Sequence, residues 1–293
     1  METKLNYKRT FLIGLAFLSI CSFWQMYDNI IPLILQNTYH LGETMTGAVM
    51  ALDNVLAIFL LPVFGALSDK VHTKLGRRMP FIVAGTILAV IFMMLLPMID
   101  NAEKARWNTG ESFSNQVIFL AVLFFTLVSM GLYRSPAVAL MPDVTPNHLR
   151  SRANAVINLM GAVGGVYALI MIKVLVGKGE TPDYLPLFAS IAAVMAIAVG
   201  ILVITIRENK LREEVEKAEA ANAGTIEEKA MAEGVEAAGE IEAVGDTGEI
   251  KSFDGKKQTG KTEGTKGMPK EVKRSMYFML ASIFLWFTAY NAV

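Results

Sequence analysis

Three ionisable side chains interrupt otherwise apolar runs of this chain: Asp28, Asp53 and Arg134. An ionised group at the centre of a hydrocarbon layer costs at least about 2.5 kcal/mol, so such residues face the protein interior or a wet cavity. Asp53, with Asn54 beside it, falls about ten residues into its run, roughly 15 Å from one end at 1.5 Å per residue. At that depth a carboxyl can bind H+ from one side and release it to the other as access switches. The competing reading is a structural Asp held permanently by a partner. Gln25 and Asp28 lie three residues apart with Asn29 next, on one helical face, and Trp24 and Tyr27 flank them. Amide, carboxylate and aromatic groups together suit a polyhydroxylated solute: the polar groups exchange hydrogen bonds with hydroxyls, and an indole face covers the C–H side of a ring. The two aromatic residues read equally well as part of an interfacial belt. Arg134, about 18 residues into its run, either meets a solute or a carboxylate, or snorkels to the nearer surface.

These residues need helices that cross a bilayer to position them. The chain has 293 residues, of which 53% are hydrophobic and 18% charged, with positive mean hydropathy. That composition belongs to a membrane protein. Apolar runs long enough to span roughly 30 Å of hydrocarbon occupy 10–34, 43–67, 80–99, 116–141, 153–176 and 184–206. A seventh begins near Met276. The expected fold class is therefore an all-α membrane protein: an N-terminal six-helix bundle over 1–206, a linker over 207–274, and the start of a second bundle over 275–293. The chain then ends roughly where the seventh helix would have crossed once, so a missing C-terminal half is the expected partner of the first.

Short basic loops mark the cytoplasmic side. Lys70, Lys74, Arg77 and Arg78 follow the second span, and Arg150 and Arg152 precede the fifth. The N-terminus, with Lys4, Lys8 and Arg9, is basic too, and its apolar run is too long for a cleaved signal. Both ends of the six-helix unit are thus expected in the cytoplasm, in a multi-pass protein of the plasma membrane. Residues 207–274 are rich in Ala, Glu, Gly and Lys and nearly free of aromatics, a composition expected of a largely disordered cytoplasmic tether. Their opening stretch carries helix formers and opposite charges at helical spacing, which predicts a helix extending from the sixth span.

Two loop segments carry more specific patterns. The second span ends Gly65-Ala66-Leu67-Ser68-Asp69-Lys70, and the loop continues to Gly76-Arg77-Arg78-Met79-Pro80-Phe81. Gly65 and Asp69 lie one turn apart on one face. At the end of the fourth span stand Pro136-Ala137-Val138-Ala139-Leu140-Met141-Pro142-Asp143-Val144-Thr145-Pro146, followed by Arg150-Ser151-Arg152. Pro142 and Pro146 are expected to break the helix there, with Asp143 at the membrane boundary and Arg150 or Arg152 pairing with it or with Asp69.

These segments resemble the G-x-x-x-D-(R/K)…G-R-R signature of the major facilitator superfamily and the P-x-x-A-L-x-x-(D/E)-L-T-P…R-(T/S)-R segment of one of its branches. That branch contains the sucrose/proton symporters and the glycoside-pentoside-hexuronide cation symporters. The resemblance covers all six spans. It implies a major facilitator-type six-helix half and solute movement by alternating access around a central cavity. It also implies a cytoplasmic gate built from Gly65, Asp69, Arg77, Arg78, Asp143, Arg150 and Arg152. Melibiose-type sodium symporters carry two carboxylates four residues apart before a P-x-x-G turn. Here the turn is present as Pro62-Val63-Phe64-Gly65, but the two positions are Ala57 and Leu61. The resemblance therefore favours H+ over sodium as coupling ion, with Asp53 and Asp28 as coupling residues.

The expected partners are a small solute, a sugar by the residue types, H+ and the lipid bilayer. Substrate contacts are expected from Trp24, Gln25, Asp28, Asn29, Asp53, Asn54 and Arg134. Export of another small solute, or a non-transporting membrane protein, stays open on the sequence. A net charge of zero gives no field for nucleic acid. His40, His72 and His148 are scattered at span ends and loops, with no metal-ligand spacing, cofactor fingerprint or nucleophile triad, so neither metal, cofactor nor enzyme activity is expected. Gly161 and Gly165 form a small-x-x-x-small pair for close helix contact, and Cys21 reads as a packing residue.

Overall fold

The computed structural model describes residues 5–71, 73–107, 116–177, 182–217 and 219. Among them are six helices long and apolar enough to cross a membrane: α1 (Tyr7–Asn37), α2 (Glu43–Lys70), α3 (Met79–Trp107), α4 (Gln116–Asp143), α5 (Arg150–Leu175) and α6 (Leu185–Thr205). The linker beyond 219 and the expected seventh helix lie outside the described residues.

α1 is the central element. Its buried row, Ile13, Ile20, Phe23, Tyr27, Ile30 and Ile34, alternates steps of three, four and seven and so stays on one side of the helix. It packs chiefly on α5 and then α6, while α3 packs on α4 and α6, and α2 on α4. The α1–α5 contact depends on small residues. The Ser22 hydroxyl donates to the Gly164 carbonyl at 2.9 Å, and a Cβ on Gly164 would collide with the Leu18 backbone. Gly161 faces the Cys21 sulfur, whereas Gly165 has ordinary clearance, its nearest neighbour being Gln25 Oε1 at 3.7 Å. The closest approach of the two helices is therefore set by Gly164, and the Gly161/Gly165 pair expected from spacing is only half of it. Some buried polar groups are satisfied across helices: Ser19 and Tyr133 share a hydrogen bond of 2.6 Å, and the Tyr133 hydroxyl also reaches the Ala16 carbonyl at 3.1 Å.

At the end away from the basic loops, α3 runs two turns past its apolar run. Asp100, fully buried there, takes Lys104 at 2.6 Å one turn on, and accepts from the Thr38 hydroxyl of the α1 end at 2.6 Å. The Lys104 ammonium also donates to the Pro182 carbonyl at 2.6 Å and lies 4.6 Å from the Tyr184 ring centre, which ties the start of α6 to the same point.

At the opposite end, two expectations need correction. Pro142 does not break α4, which runs through it and stops one residue later; Pro146 opens the 3-10 turn Asn147–Leu149 before α5. The segment after α6 is not a continuation of that helix. The backbone opens at Ile206 and Arg207, and residues 208–217 form a separate helical stretch. This part of the expected tether is folded against the bundle because it has something to bury: Leu211 and Val215 are buried, Arg9 bonds Glu214 at 3.1 Å, and Glu208 is fully buried.

Candidate functional site: a membrane-depth cavity and a charged cluster at the loop end

The first site is built by α1, α2 and α4. Trp24, Asp53 and Arg134 line one small cavity, about 20 Å³, closed by Leu56, Leu60 and Gly131 among others. The Arg134 guanidinium lies 5.4 Å from the Trp24 ring centre, within cation–π range. Its side chain thus points toward Trp24 and Asp53 and does not snorkel along α4 to the nearer surface. The reason is tertiary: α2 and α4 run in the same direction, and Gly131, one turn before Arg134, leaves room for Leu60 of α2. Asp53 and Arg134 share the cavity without forming an ion pair.

Trp24 belongs to an aromatic group with Phe23 and Tyr27, whose ring centres lie 5.3 Å, 6.1 Å and 5.4 Å apart. Tyr27 is 1% exposed, which makes it a core residue and not a member of an interfacial belt. Among the described residues, the Trp24 Nε1–H and the Tyr27 hydroxyl are buried without a hydrogen-bond partner. Such groups are rare in folded proteins, and each calls for a partner such as an ordered water, an ion or a bound molecule. Asp28, Asn29 and Asn54 are exposed, and Gln25 is half-buried. Asn29 donates to the Gln25 carbonyl at 2.7 Å, so its amide is anchored to its own helix. The site residues expected from sequence therefore divide into a half-buried group around one cavity, Trp24, Asp53 and Arg134, and a polar edge on α1 and α2.

The second site gathers residues from α2, the following loop and α4. Arg78, nearly buried, bonds Asp69 at 2.6 Å and Asp143 at 3.0 Å, and donates to the Gly65 carbonyl and the Ser68 hydroxyl. Arg77 bonds Asp143 at 2.8 Å and approaches Asp69 at 3.7 Å. Asp143 thus receives two guanidinium groups. Burial works against the Arg77 charge, but the hydrogen bond and charge of Asp143, with Asp69 and Glu208, more than offset it, and the Arg77 pKa is raised. Gly65 brings α4 close: a Cβ there would meet the Ser135 hydroxyl at 3.3 Å, and that hydroxyl donates to the Leu61 carbonyl at 2.8 Å.

Arg150 and Arg152 do not join this cluster. Arg150 donates to the Thr145 and Pro142 carbonyls at 3.2 Å and 2.9 Å, closing the end of α4, and Arg152 is exposed and pairs with neither Asp69 nor Asp143. A residue that sequence reasoning missed takes a central place. The Glu208 carboxylate accepts from the backbone N–H groups of Arg77, Arg78 and Met79 at 3.0–3.1 Å, satisfying the exposed donors at the start of α3. It lies about 130 residues along the chain from its partners, so no local spacing could reveal it. Gly76 makes the approach possible. Its φ of 124° is a conformation that favours glycine, and a side chain there would collide with the Glu208 carboxylate.

The family model described as Major Facilitator Superfamily matches residues 8–293. Among curated proteins, the chain is 26% identical over 137 residues to sucrose transport protein SUT3 of Oryza sativa subsp. japonica, covering 44% of this chain and 27% of that protein. It is 35% identical over 116 residues to sucrose transport protein SUC4 of Arabidopsis thaliana, covering 37% and 22%. The matched segments thus span about a quarter of the length of these relatives.

Proposed function

The chain belongs to the major facilitator superfamily, an integral multi-pass membrane family, and from that premise we propose that it is a secondary active transporter carrying a sugar or glycoside together with H+ by alternating access. The observation that carries the reading is the half-buried group within the spans: an indole with an unpartnered N–H, a guanidinium over its ring, and a carboxylate, all on one cavity. The similarity to sucrose transport proteins supports a sugar as solute.

In this reading the sugar sits between the α1 edge and the cavity. Gln25, Asp28, Asn29 and Asn54 exchange hydrogen bonds with its hydroxyls, Trp24 covers a C–H face, and Asp53 holds the coupled proton, with Asp28 as second carboxyl. While Asp53 is ionised, Arg134 is its nearest counter-charge. Protonation neutralises the carboxyl and removes its attraction for the guanidinium, which leaves the Arg134 donors to the solute, so H+ and sugar binding reinforce each other. Gly65, Asp69, Arg77, Arg78 and Asp143, with Arg150 and Arg152 at the head of α5, form the gate region at the side assigned to the cytoplasm by its basic loops. The cluster fastens α2, α3 and α4 so that the six helices rock as one body against the walls of a second half.

The test is the external pH of a lightly buffered suspension of cells expressing the protein, followed after addition of a panel of sugars. Alkalinisation with one sugar, lost in Asp53→Asn while that variant remains in the membrane, is the expected result. No pH response to any sugar, despite verified surface expression, overturns proton–sugar symport.

A further inference from the structure

On the outer side of the bundle α3 and α6 leave a groove of about 420 Å³ between them, walled by Val83, Ile87 and Ile91 on one side and Val199, Gly200 and Val203 on the other. The single hydroxyl on it, that of Thr86, is turned back to the Ile82 carbonyl at 2.7 Å, so the lining is effectively apolar. Ile87 and Ile91 are half exposed, and a Cβ on Gly200 would meet nothing within 4 Å. The groove lies along the first turns of α3 and the last turns of α6, at the depth of one leaflet.

A second cavity, about 410 Å³, continues from it, since Val203 and Ile204 line both. This one carries three cations, Lys74, Arg207 and Lys210. Among the described residues none of the three pairs with a carboxylate. The acid that lines the same cavity, Glu208, has its oxygens engaged by the backbone of residues 77–79. The break between α6 and the helical stretch 208–217 is what turns Arg207 and Lys210 to the rim, beside Lys74 of the opposite loop.

We propose that this face is a binding site for an anionic phospholipid of the adjoining leaflet, with an acyl chain in the α3–α6 groove and the phosphate on Lys74, Arg207 and Lys210. The two halves of the site have the two halves of that molecule's chemistry: an apolar channel opening directly into a cavity where, among the described residues, three cations outnumber the one carboxylate. Basic cavities between helix ends select anionic headgroups, and the guanidinium of Arg207 suits a phosphate. A zwitterionic lipid satisfies the groove but not the rim. A free phosphate satisfies the rim but not the groove. Filling the site would also hold residues 208–217 in place, and through Glu208 the start of α3.

The experiment is native mass spectrometry of the full chain, purified in neutral detergent, titrated separately with dioleoylphosphatidylglycerol and dioleoylphosphatidylcholine. At about fivefold per cation near the surface, phosphatidylglycerol should be retained at least tenfold more tightly. Lys74→Gln/Arg207→Gln/Lys210→Gln should abolish that preference. Gly200→Leu, which has room to project into the groove and leaves every cation in place, should weaken phosphatidylglycerol by a similar factor. Glycerol 3-phosphate at equal concentration should displace neither lipid. Equal retention of the two lipids, a preference unchanged in the triple variant, phosphatidylglycerol binding unchanged in Gly200→Leu, or displacement by glycerol 3-phosphate each overturns the proposal. The readout is lipid binding, so its failure leaves the transport reading untouched, and a chain that moves no sugar can still pass it.

Discussion

Asp143 holds two guanidinium groups while 16% exposed, whereas Asp69, on the same arginines, is half exposed. The two carboxylates therefore differ in worth although they belong to one cluster. Water screens Asp69, and an exposed pair contributes about 0–1 kcal/mol. Removing the Asp143 charge leaves two nearly buried cations short of their main acceptor, at a cost of about 1–3 kcal/mol. Thermal unfolding in detergent should show Asp143→Asn clearly destabilised and Asp69→Asn close to wild type; the reverse order would mean that exposure does not rank them. Because the Arg77 pKa is raised, its stabilising contribution is present below the ordinary arginine range and lost only as pH rises through the still higher folded value. The arginine charge of the cluster is thus constant from pH 5 to 9, and any pH dependence of the Asp143→Asn difference in that window must come from elsewhere.

Helix pairing supplies the next test, because α1 and α5 bring backbone against backbone at Gly164. At Gly164 a methyl group meets the Leu18 backbone, which cannot turn aside as a side chain can, whereas at Gly165 the nearest atom is the end of Gln25 at 3.7 Å. Gly164→Ala should lower stability by about 1–3 kcal/mol, the usual cost of overpacking, and Gly165→Ala should be neutral. Equal unfolding temperatures for the two variants would show that α1 and α5 separate without cost. The sequence shows where the helices are, since a run of twenty apolar residues has one solution in lipid, and the ends of α2, α4 and α6 fall within three residues of the expected ones. It also shows that Asp53 and Arg134 lie within spans. It does not show that Arg134 turns toward Trp24, because a long side chain's direction depends on which neighbour leaves space. Nor does it show the docking of residues 208–217, whose charge pattern reads as solvated until Glu208 finds the N–H groups of residues 77–79. Local composition predicts a helix or a tether; only the assembled loops decide that it is a clasp.

In the whole bundle, exposure has two meanings that the accessible surface alone does not separate. Ile87 on α3 and Ile58 on α2 are exposed and apolar, at home against lipid chains, while Asp28 and Asn29 on α1 and Asn54 on α2 are exposed and polar within their own spans. Polar groups in that position are tolerated only where they line water or meet protein. The six helices thus have one wet side, formed by α1 and α2, and a lipid side that includes the α3–α6 groove. Thiol labelling separates them. In a Cys21→Ala background, a membrane-impermeant maleimide should modify Asn29→Cys and Asn54→Cys readily and Ile87→Cys hardly at all, since thiols ionise and react only in water. Ile30→Cys, next to Asn29 but 1% exposed, should stay unlabelled and so report that the helix has not loosened. If a transported sugar slows the reaction at Asn29 and Asn54 together, the wet side is the wall of the solute path. If Ile87→Cys reacts as fast as Asn29→Cys, the division of the bundle into wet and lipid sides is wrong, and with it the placement of the solute against α1.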